Sequence, residues 1–242
     1  DSVGFPRLLD RTQAEAAGAQ RVSDMLATGL RERGHEVRTV FMYRKTGAFD
    51  DDPYSDFLLS HPPRSSVERI IAVLRLAPYL RRQNADAVIT FQHFGNVFGS
   101  IIARACGYRK VVANQSGVPG SAEAGALIDR ADRFLGSVGT YSANVVNSAW
   151  TESTFSTFPK AYRSRLRLVP HGVAEMAAPR LSSRDARHFF NLPPDGMIIL
   201  TSGRLAEEKN HASLLEPLRS LPGVSLAIAG AGPLREALLG LA

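Results

Sequence analysis

Arg204 and Lys209 put a guanidinium and an ammonium on one short stretch, after the apolar run Met197 to Ser202 and before a helix expected to begin near Asn210. A strand-to-helix loop offers free backbone N–H groups, and the helix dipole adds to their pull on an anion. Arg presents a planar fork to two oxygens and Lys a compact point charge, so the pair suits a phosphate or diphosphate. Charged loop residues are also common on plain protein surfaces, and position alone does not separate the two readings.

Several glycines fall at comparable places. Gly18 precedes a helical pattern, where a missing Cβ lets the backbone approach a phosphate closely, although a lone glycine there also serves as an ordinary turn. Gly203 opens the Arg204 loop. Gly230-Ala231-Gly232 begins like a dinucleotide fingerprint, but the third glycine position holds Arg235, so that motif fails. His93 and Asn96 follow the run Asp86 to Phe91. His93 can hydrogen-bond a hydroxyl, and between Phe91 and Phe94 it reads equally as a satisfied structural histidine. His171 reads as a hinge residue. Cys106, the single cysteine, reads as a small buried hydrophobe; with no partner it forms no intrachain disulfide, which fits a reducing cytoplasm. No metal-ligand spacing, convincing carboxylate pair or Ser-His-Asp order stands out.

Those residues need elements to position them. From Asp86 onward short β-branched runs alternate with longer amphipathic ones, the pattern of parallel strands joined by crossover helices. Strands are expected at Asp86 to Phe91, Lys110 to Ala113, Val145 to Asn147, Leu166 to Val169, Met197 to Ser202 and Val224 to Ala229. In such sheets the ligand crevice lies at the carboxyl ends of the strands, which directs attention to Gln92 to Asn96, Asn114 to Gly117, Ser148, His171 to Gly172, Gly203 to Asn210 and Gly230 to Pro233. Upstream, Val22, Met25, Leu26 and Leu30 share a helical face, Gly34 marks the stop, and a strand Glu36 to Tyr43 follows. Ser66 to Arg82 mixes Ile70, Ile71, Val73, Leu74 and Leu80 with Arg69, Arg75, Arg81 and Arg82. It reads either as a basic membrane-surface helix or as a crossover helix covering the sheet, and Pro78, which interrupts the run, favours the second. Between His171 and Pro194 periodicity fades while Pro, Ser and Arg gather, so the chain divides into 1–172 and 173–242.

With 242 residues, 44% of them hydrophobic, the chain has ample material for a core. Two full doubly wound domains would take roughly 150 to 200 residues each, so part of the second is expected to be missing. No apolar run approaches the ~18 residues of a membrane span, and no secretory signal is visible. The 29 basic and 23 acidic side chains leave a net charge of +6, which favours anionic partners without choosing among phosphates, nucleic acid and an anionic membrane face. The basic residues are not interleaved with stacking aromatics, which argues against nucleic acid.

Order and spacing then carry a resemblance. Ala17-Gly18-Ala19-Gln20-Arg21, followed by Arg31-Glu32-Arg33-Gly34-His35-Glu36-Val37, resembles the opening of glycosyltransferase family four, a Gly-Gly loop before a helix that ends in Arg-Gly-His-x-Val. Val146-Asn147-Ser148 ahead of Glu152, Val169-Pro170-His171-Gly172-Val173, Gly203-Arg204-Leu205 with Glu208-Lys209-Asn210, and Ala229-Gly230-Ala231-Gly232-Pro233-Leu234 follow in the family's order over residues 17 to 236. The resemblance implies an α/β fold of the GT-B type, with two Rossmann-like doubly wound domains facing a cleft: an acceptor domain, 1–172, and an incomplete nucleotide-sugar domain, 173–242. Three departures stand against it. Phe5-Pro6-Arg7-Leu8-Leu9 is short and charged for a first strand, and Ala17 replaces the first loop glycine. Gln115 takes the place of a His or acidic residue that helps hold the donor sugar. The chain also stops at Ala242, before the family's glutamate pair with seven residues between; Glu208 and Glu216 share that spacing but fall too early.

The activity implied is transfer of a sugar, with retention of configuration, from a UDP- or GDP-sugar to a sugar, lipid-linked or small-molecule acceptor in cell-surface glycan or glycoside synthesis. On that reading Arg204 and Lys209 meet the departing diphosphate, Gln115 and His93 the sugar or acceptor, and Gly18, Gly203, Gly230 and Gly232 the nucleotide. No metal or other cofactor is expected, nor a nucleic acid partner. The protein is expected in the cytoplasm, peripheral at the inner membrane face, and the chain by itself is expected to turn over little or no substrate. Two other readings stay open: a sugar-nucleotide epimerase of the same architecture, and a non-catalytic nucleotide-sugar-binding module.

Overall fold

The computed structural model describes residues 7–14, 18–115, 117–120, 125–173 and 180–241. Seven strands, β1 (Arg7–Ala14), β2 (Val37–Arg44), β3 (Ser55–Phe57), β4 (Ala87–Phe91), β5 (Val111–Gln115), β6 (Ala143–Val146) and β7 (Leu166–Leu168), form one sheet in the order β3-β2-β1-β4-β5-β6-β7. All its pairings are parallel. A second parallel sheet pairs β8 (Met197–Ser202) with β9 (Val224–Ala229). The helices are α1 (Gly18–Arg31), α2 (Ser66–Gln83), α3 (Gln92–Phe94), α4 (Ser100–Ala105), α5 (Ala126–Val138), α6 (Ala149–Thr154), α7 (Lys160–Arg163), α8 (Ser183–Phe189), α9 (Leu215–Leu218) and α10 (Arg235–Leu241). The chain separates into two compact units, Asp1–Val173 and Ala174–Ala242.

In the first unit the chain steps outward from β1 to β2 and β3, and α2 then returns it to the other side of β1, where β4 begins. The reversal creates a switch point between β1 and β4, where such sheets open a crevice beyond their carboxyl ends. Alternation along the strands supplies both faces. Val22, Leu26, Ala27 and Leu30 of α1 pack on Val37, Ile89 and Phe91. On the opposite face Leu76 and Leu80 of α2 and Ala103 of α4 pack on Val40, Met42, Val88 and Val111. Leu76 and Leu80 are wholly buried, and each contributes about 2 kcal/mol from transfer alone.

Several expectations change. β1 is an eight-residue interior strand of the sheet despite its charged sequence, because β2 and β4 pair with its backbone from both sides. Residues Phe5, Pro6, Ala17 and Ser116 lie outside the described residues. Pro78 does not break α2, which runs from Ser66 to Gln83. Pro78 and Leu74 are both solvent-exposed, so the Leu74 carbonyl that loses its helical donor is open to water. β3 is too short to show in the sequence pattern and forms as the edge strand on β2. The connection after His171 holds the short helix α8, whose N-cap Ser182 accepts from the Asp185 amide. Cys106 is half-buried, its Sγ 3.6 Å from the Ala77 carbonyl.

A third core cluster joins α5, α6 and α7 through Phe155, Phe158, Tyr162 and Tyr141. Gly136 of α5 makes this possible: a Cβ there would overlap the Tyr162 ring and lie 3.3 Å from Tyr141. Gly136→Ala should therefore lower unfolding free energy by about 1 to 3 kcal/mol through overpacking, read as a reduced urea midpoint at an unchanged m-value.

Candidate functional site

At the switch point β4 is followed at once by Gln92, the first residue of α3, which has φ +65°, a left-handed conformation uncommon outside glycine. The Gln92 Oε1 atom is buried without a hydrogen-bond partner, and so is the His93 Nε2 atom. His93 lies against Gly117, where a Cβ would come within 2.6 Å of Nε2. Gly117 is thus the residue that leaves room for this ring. Unpartnered polar atoms in a half-buried setting are costly unless something completes them, and such atoms mark a place where a ligand group is useful. Gly18 starts α1, is exposed, and a Cβ on it would meet nothing within 4 Å among the described residues.

Between α3 and α4 the chain widens into a π-helical segment, Gly95–Gly99, that turns Asn96 inward. Asn96 accepts from the Thr90 hydroxyl at 2.9 Å and donates to the Asn114 carbonyl at 3.0 Å and to Gln115 Oε1 at 3.3 Å. Gln115 is 2% exposed, and its amide nitrogen donates to Asp132 Oδ1 at 3.0 Å and to the Tyr162 hydroxyl at 3.2 Å. Asp132 also receives Tyr141 at 2.8 Å and Tyr162 at 2.7 Å. The structure places Gln115 with both ends of its amide engaged inside the unit. The sequence reading did not single out Asp132, a buried carboxylate of α5 whose partners Tyr141 and Tyr162 lie 9 and 30 residues further along the chain.

Burial pushes the Asp132 carboxyl above its ordinary 3.8, and the donors from Tyr162, Tyr141 and Gln115 offset part of that rise. Burial and the Asp132 charge together push the Tyr162 and Tyr141 hydroxyls up, so both stay protonated donors. A carboxyl raised on folding contributes most stability below its unfolded value and loses it as pH rises toward the folded one. Relative to a non-titrating Asp132→Asn variant, the parent chain should lose stability as pH climbs from just below 4, measured by urea unfolding of both proteins across that range.

In the second unit two loops leave the carboxyl ends of β8 and β9 and are hydrogen-bonded to each other. The Gly203 amide donates to the Ala229 carbonyl at 3.0 Å and the Leu205 amide to Ala231 at 2.9 Å; the Leu234 amide returns to the Leu205 carbonyl at 3.0 Å. Gly230 and Gly232 permit the approach, since a Cβ on Gly230 would overlap the Gly203 carbonyl and one on Gly232 would lie 2.7 Å from the Leu205 amide nitrogen. Arg204 is exposed and its Nε and Nη2 reach Glu208 Oε1 at 3.0 and 2.6 Å. The Arg204 hydrogen bond holds the Glu208 carboxyl below its usual range. Lys209 is exposed, its aliphatic stem running past Gly203. The expected helix at Asn210 is instead a 3-10 turn, His211–Leu214, that precedes α9, with Asn210 at φ +47° between two such turns. The dipole contribution at this loop is correspondingly small. His211, which the sequence did not single out, is 5% exposed, its unpartnered Nε2 facing Gly203.

The structure thus brings His93 and Gln115 to adjacent strand ends in the first unit, and Arg204, Lys209, Gly203, Gly230 and Gly232 to one loop pair in the second. The sequence profile of Glycosyltransferase Family 4 matches residues 16–175, more than half of the chain. The chain belongs to that family. No curated protein matches this family 4 chain at a significant level. Among solved structures it resembles HepE of Anabaena with UDP and glucose (TM-score 0.77, 14% identity, 98% of this chain and 64% of that one). It also resembles a sucrose-phosphate synthase of Thermosynechococcus elongatus (0.70, 18%, 96% and 64%) and the lipopolysaccharide outer core galactosyltransferase WaaB (0.64, 13%, 98% and 64%). At these identities the likeness establishes the GT-B type of α/β fold across both units. The chain spans about two thirds of the length of these proteins, 64% in each case.

Proposed function

We propose that this protein transfers a sugar, with retention of configuration, from a UDP- or GDP-sugar to a sugar, lipid-linked or small-molecule acceptor in glycan or glycoside synthesis. The observation that carries the reading is the loop pair at the ends of β8 and β9, where Arg204 and Lys209 sit exposed beside the Gly203 backbone in a chain of this family. Transfer builds positive charge on the sugar ring and negative charge on the departing diphosphate, so fixed cations at the diphosphate lower the barrier. The Arg204–Glu208 pair is solvated on both sides and weak, so a diphosphate can take the guanidinium over from Glu208. HepE has been seen with UDP-glucose and with UDP, which supports a uridine nucleotide as the first donor to try.

Acceptor and donor chemistry divide between the units in this proposal. His93, with its unpartnered Nε2 at the β1/β4 switch point, meets a hydroxyl of the acceptor or the sugar, and Gly18 admits a close phosphate or sugar oxygen. The acceptor hydroxyl attacks on the face from which the diphosphate leaves, and positioning contributes most of the rate. Among the described residues no group of three His, Cys, Asp or Glu side chains could hold a metal ion, and the mechanism proposed here uses none. A second reading has one observation behind it: a UDP-N-acetylglucosamine 2-epimerase of Rickettsia bellii shares the fold, with a TM-score of 0.60 at 10% identity. An epimerase would change its sugar nucleotide with no acceptor present.

Steady-state kinetics of the complete gene product test the donor site. Arg204→Ala and Lys209→Ala should each cost on the order of a hundredfold or more in turnover, with melting temperatures close to the parent's because both side chains are exposed. Lys209→Arg should rescue poorly, since a forked guanidinium does not replace a compact ammonium. Near-normal turnover in both alanine variants would make these residues plain surface charges. Turnover should also survive excess EDTA; activity lost to chelator and restored by a divalent ion would remove the metal-independent mechanism.

A further inference from the structure

The helix α2 covers the sheet with one side and leaves the other without a partner among the described residues. Ala72, Leu76 and Leu80 point inward, and the Tyr79 hydroxyl donates to Asp56 at 2.7 Å, beside the Arg38 guanidinium on the same carboxylate. These contacts fix which side faces out. On the side opposite Leu76, at helical spacing, lie Val67 (64% exposed), Ile70 (58%), Ile71 (37%) and Leu74 (65%), with exposed Pro78 continuing the stripe. Isolated exposed apolar residues are ordinary, but a contiguous stripe along a helix is not.

Charge frames this stripe. Arg64 lies near its start, Arg75 on its flank, and Arg81 and Arg82 at its end, while Arg69 falls one heptad before Leu76 and so on the opposite side from the stripe; all are exposed. Arg75 donates to the Leu58 carbonyl at 2.9 Å, and none of the five enters an ion pair among the described residues. The single acid of the helix, Glu68, is turned to its start, where it accepts from the Arg64 amide at 2.6 Å. A surface with apolar side chains outward and a rim of unpaired arginines matches the boundary of an anionic bilayer, with apolar groups entering the acyl edge and guanidiniums meeting phosphates. No helix of the described residues is long and apolar enough to cross a membrane, so the contact would lie in the plane of the surface.

We propose that the outer face of α2 docks this protein on an anionic lipid surface, with Val67, Ile70, Ile71 and Leu74 inserted at the interface and Arg64, Arg81 and Arg82 on the headgroup phosphates. The proposal stands on this helix alone and does not rest on the transferase reading. Both faces of α2 act at once: the crossover helix and the membrane-surface helix are the same element seen from two sides.

Vesicle co-sedimentation of the chain tests it, using phosphatidylcholine vesicles with and without phosphatidylglycerol. The chain should sediment with the anionic vesicles, remain free with the neutral ones, and release as salt rises. Each arginine at such a surface is worth about fivefold in partitioning, so Arg81→Ala with Arg82→Ala should weaken binding about 25-fold. Ile70→Ser with Leu74→Ser should weaken it about tenfold or more. Because all four side chains are exposed, both double variants should melt with the parent. No sedimentation with anionic vesicles at low salt, equal sedimentation with both kinds, or variants that bind like the parent would each overturn the proposal. So would a dimer in analytical ultracentrifugation that Ile70→Ser with Leu74→Ser converts to monomer, since the stripe would then be a contact between copies of the chain.

Discussion

The carboxylate of Asp132 lies where water cannot solvate it, and much of the first unit is arranged around that fact. Left bare, a buried carboxylate is among the most expensive groups a fold can hold. Three donors arrive from three places in the chain: Gln115 from the end of β5, Tyr141 from the approach to β6, and Tyr162 from α7. The packing of α5 against α7, which Gly136 permits, holds Asp132 beside Tyr162. Through Gln115 the same network reaches Asn96 and Thr90, and so fixes the chain that carries Gln92 and His93. The geometry at the β1/β4 switch point is therefore tied through the end of β5 to a buried carboxylate on α5.

Much of the architecture was legible because it follows from periodicity. The runs that became β2, β4, β5, β8 and β9 are rich in β-branched and aromatic residues, and their positions hold to within a residue or two. The loops at the ends of β8 and β9 were legible for the same reason, since the Gly203-Arg204 that follows β8 states where its carboxyl end lies. Elements whose existence depends on tertiary pairing were not. β1 owes its length to neighbours on both sides, and β3 is three residues that β2 recruits. Pro78 was read as an interruption because local rules weigh the lost hydrogen bond, while its exposure, which makes the loss tolerable, is a property of the packed helix.

The candidate site shows the same division. Arg204, Lys209, Gly230 and Gly232 come together through backbone pairing that the strand order dictates. Gln115 could not be placed from its neighbours in sequence, since its partners Asp132 and Tyr162 lie far along the chain. His211 was missed because nothing in its local pattern separates a histidine under a glycine from one on a surface; the Gly203 backbone above it supplies that distinction.

The π-helical segment Gly95–Gly99 carries one more residue per turn than the α-helix that follows it. Its length is a register setting. Removing a single residue there would let the turn close as an ordinary α-helix and rotate everything before it by about 100° relative to α4, carrying Asn96 away from Thr90 and Asn114. Substitutions in this stretch change one contact at a time, whereas a one-residue insertion or deletion changes which side chains face the sheet at all. Between related chains, a gap placed in this stretch therefore separates two different interiors, even where the residues on either side align.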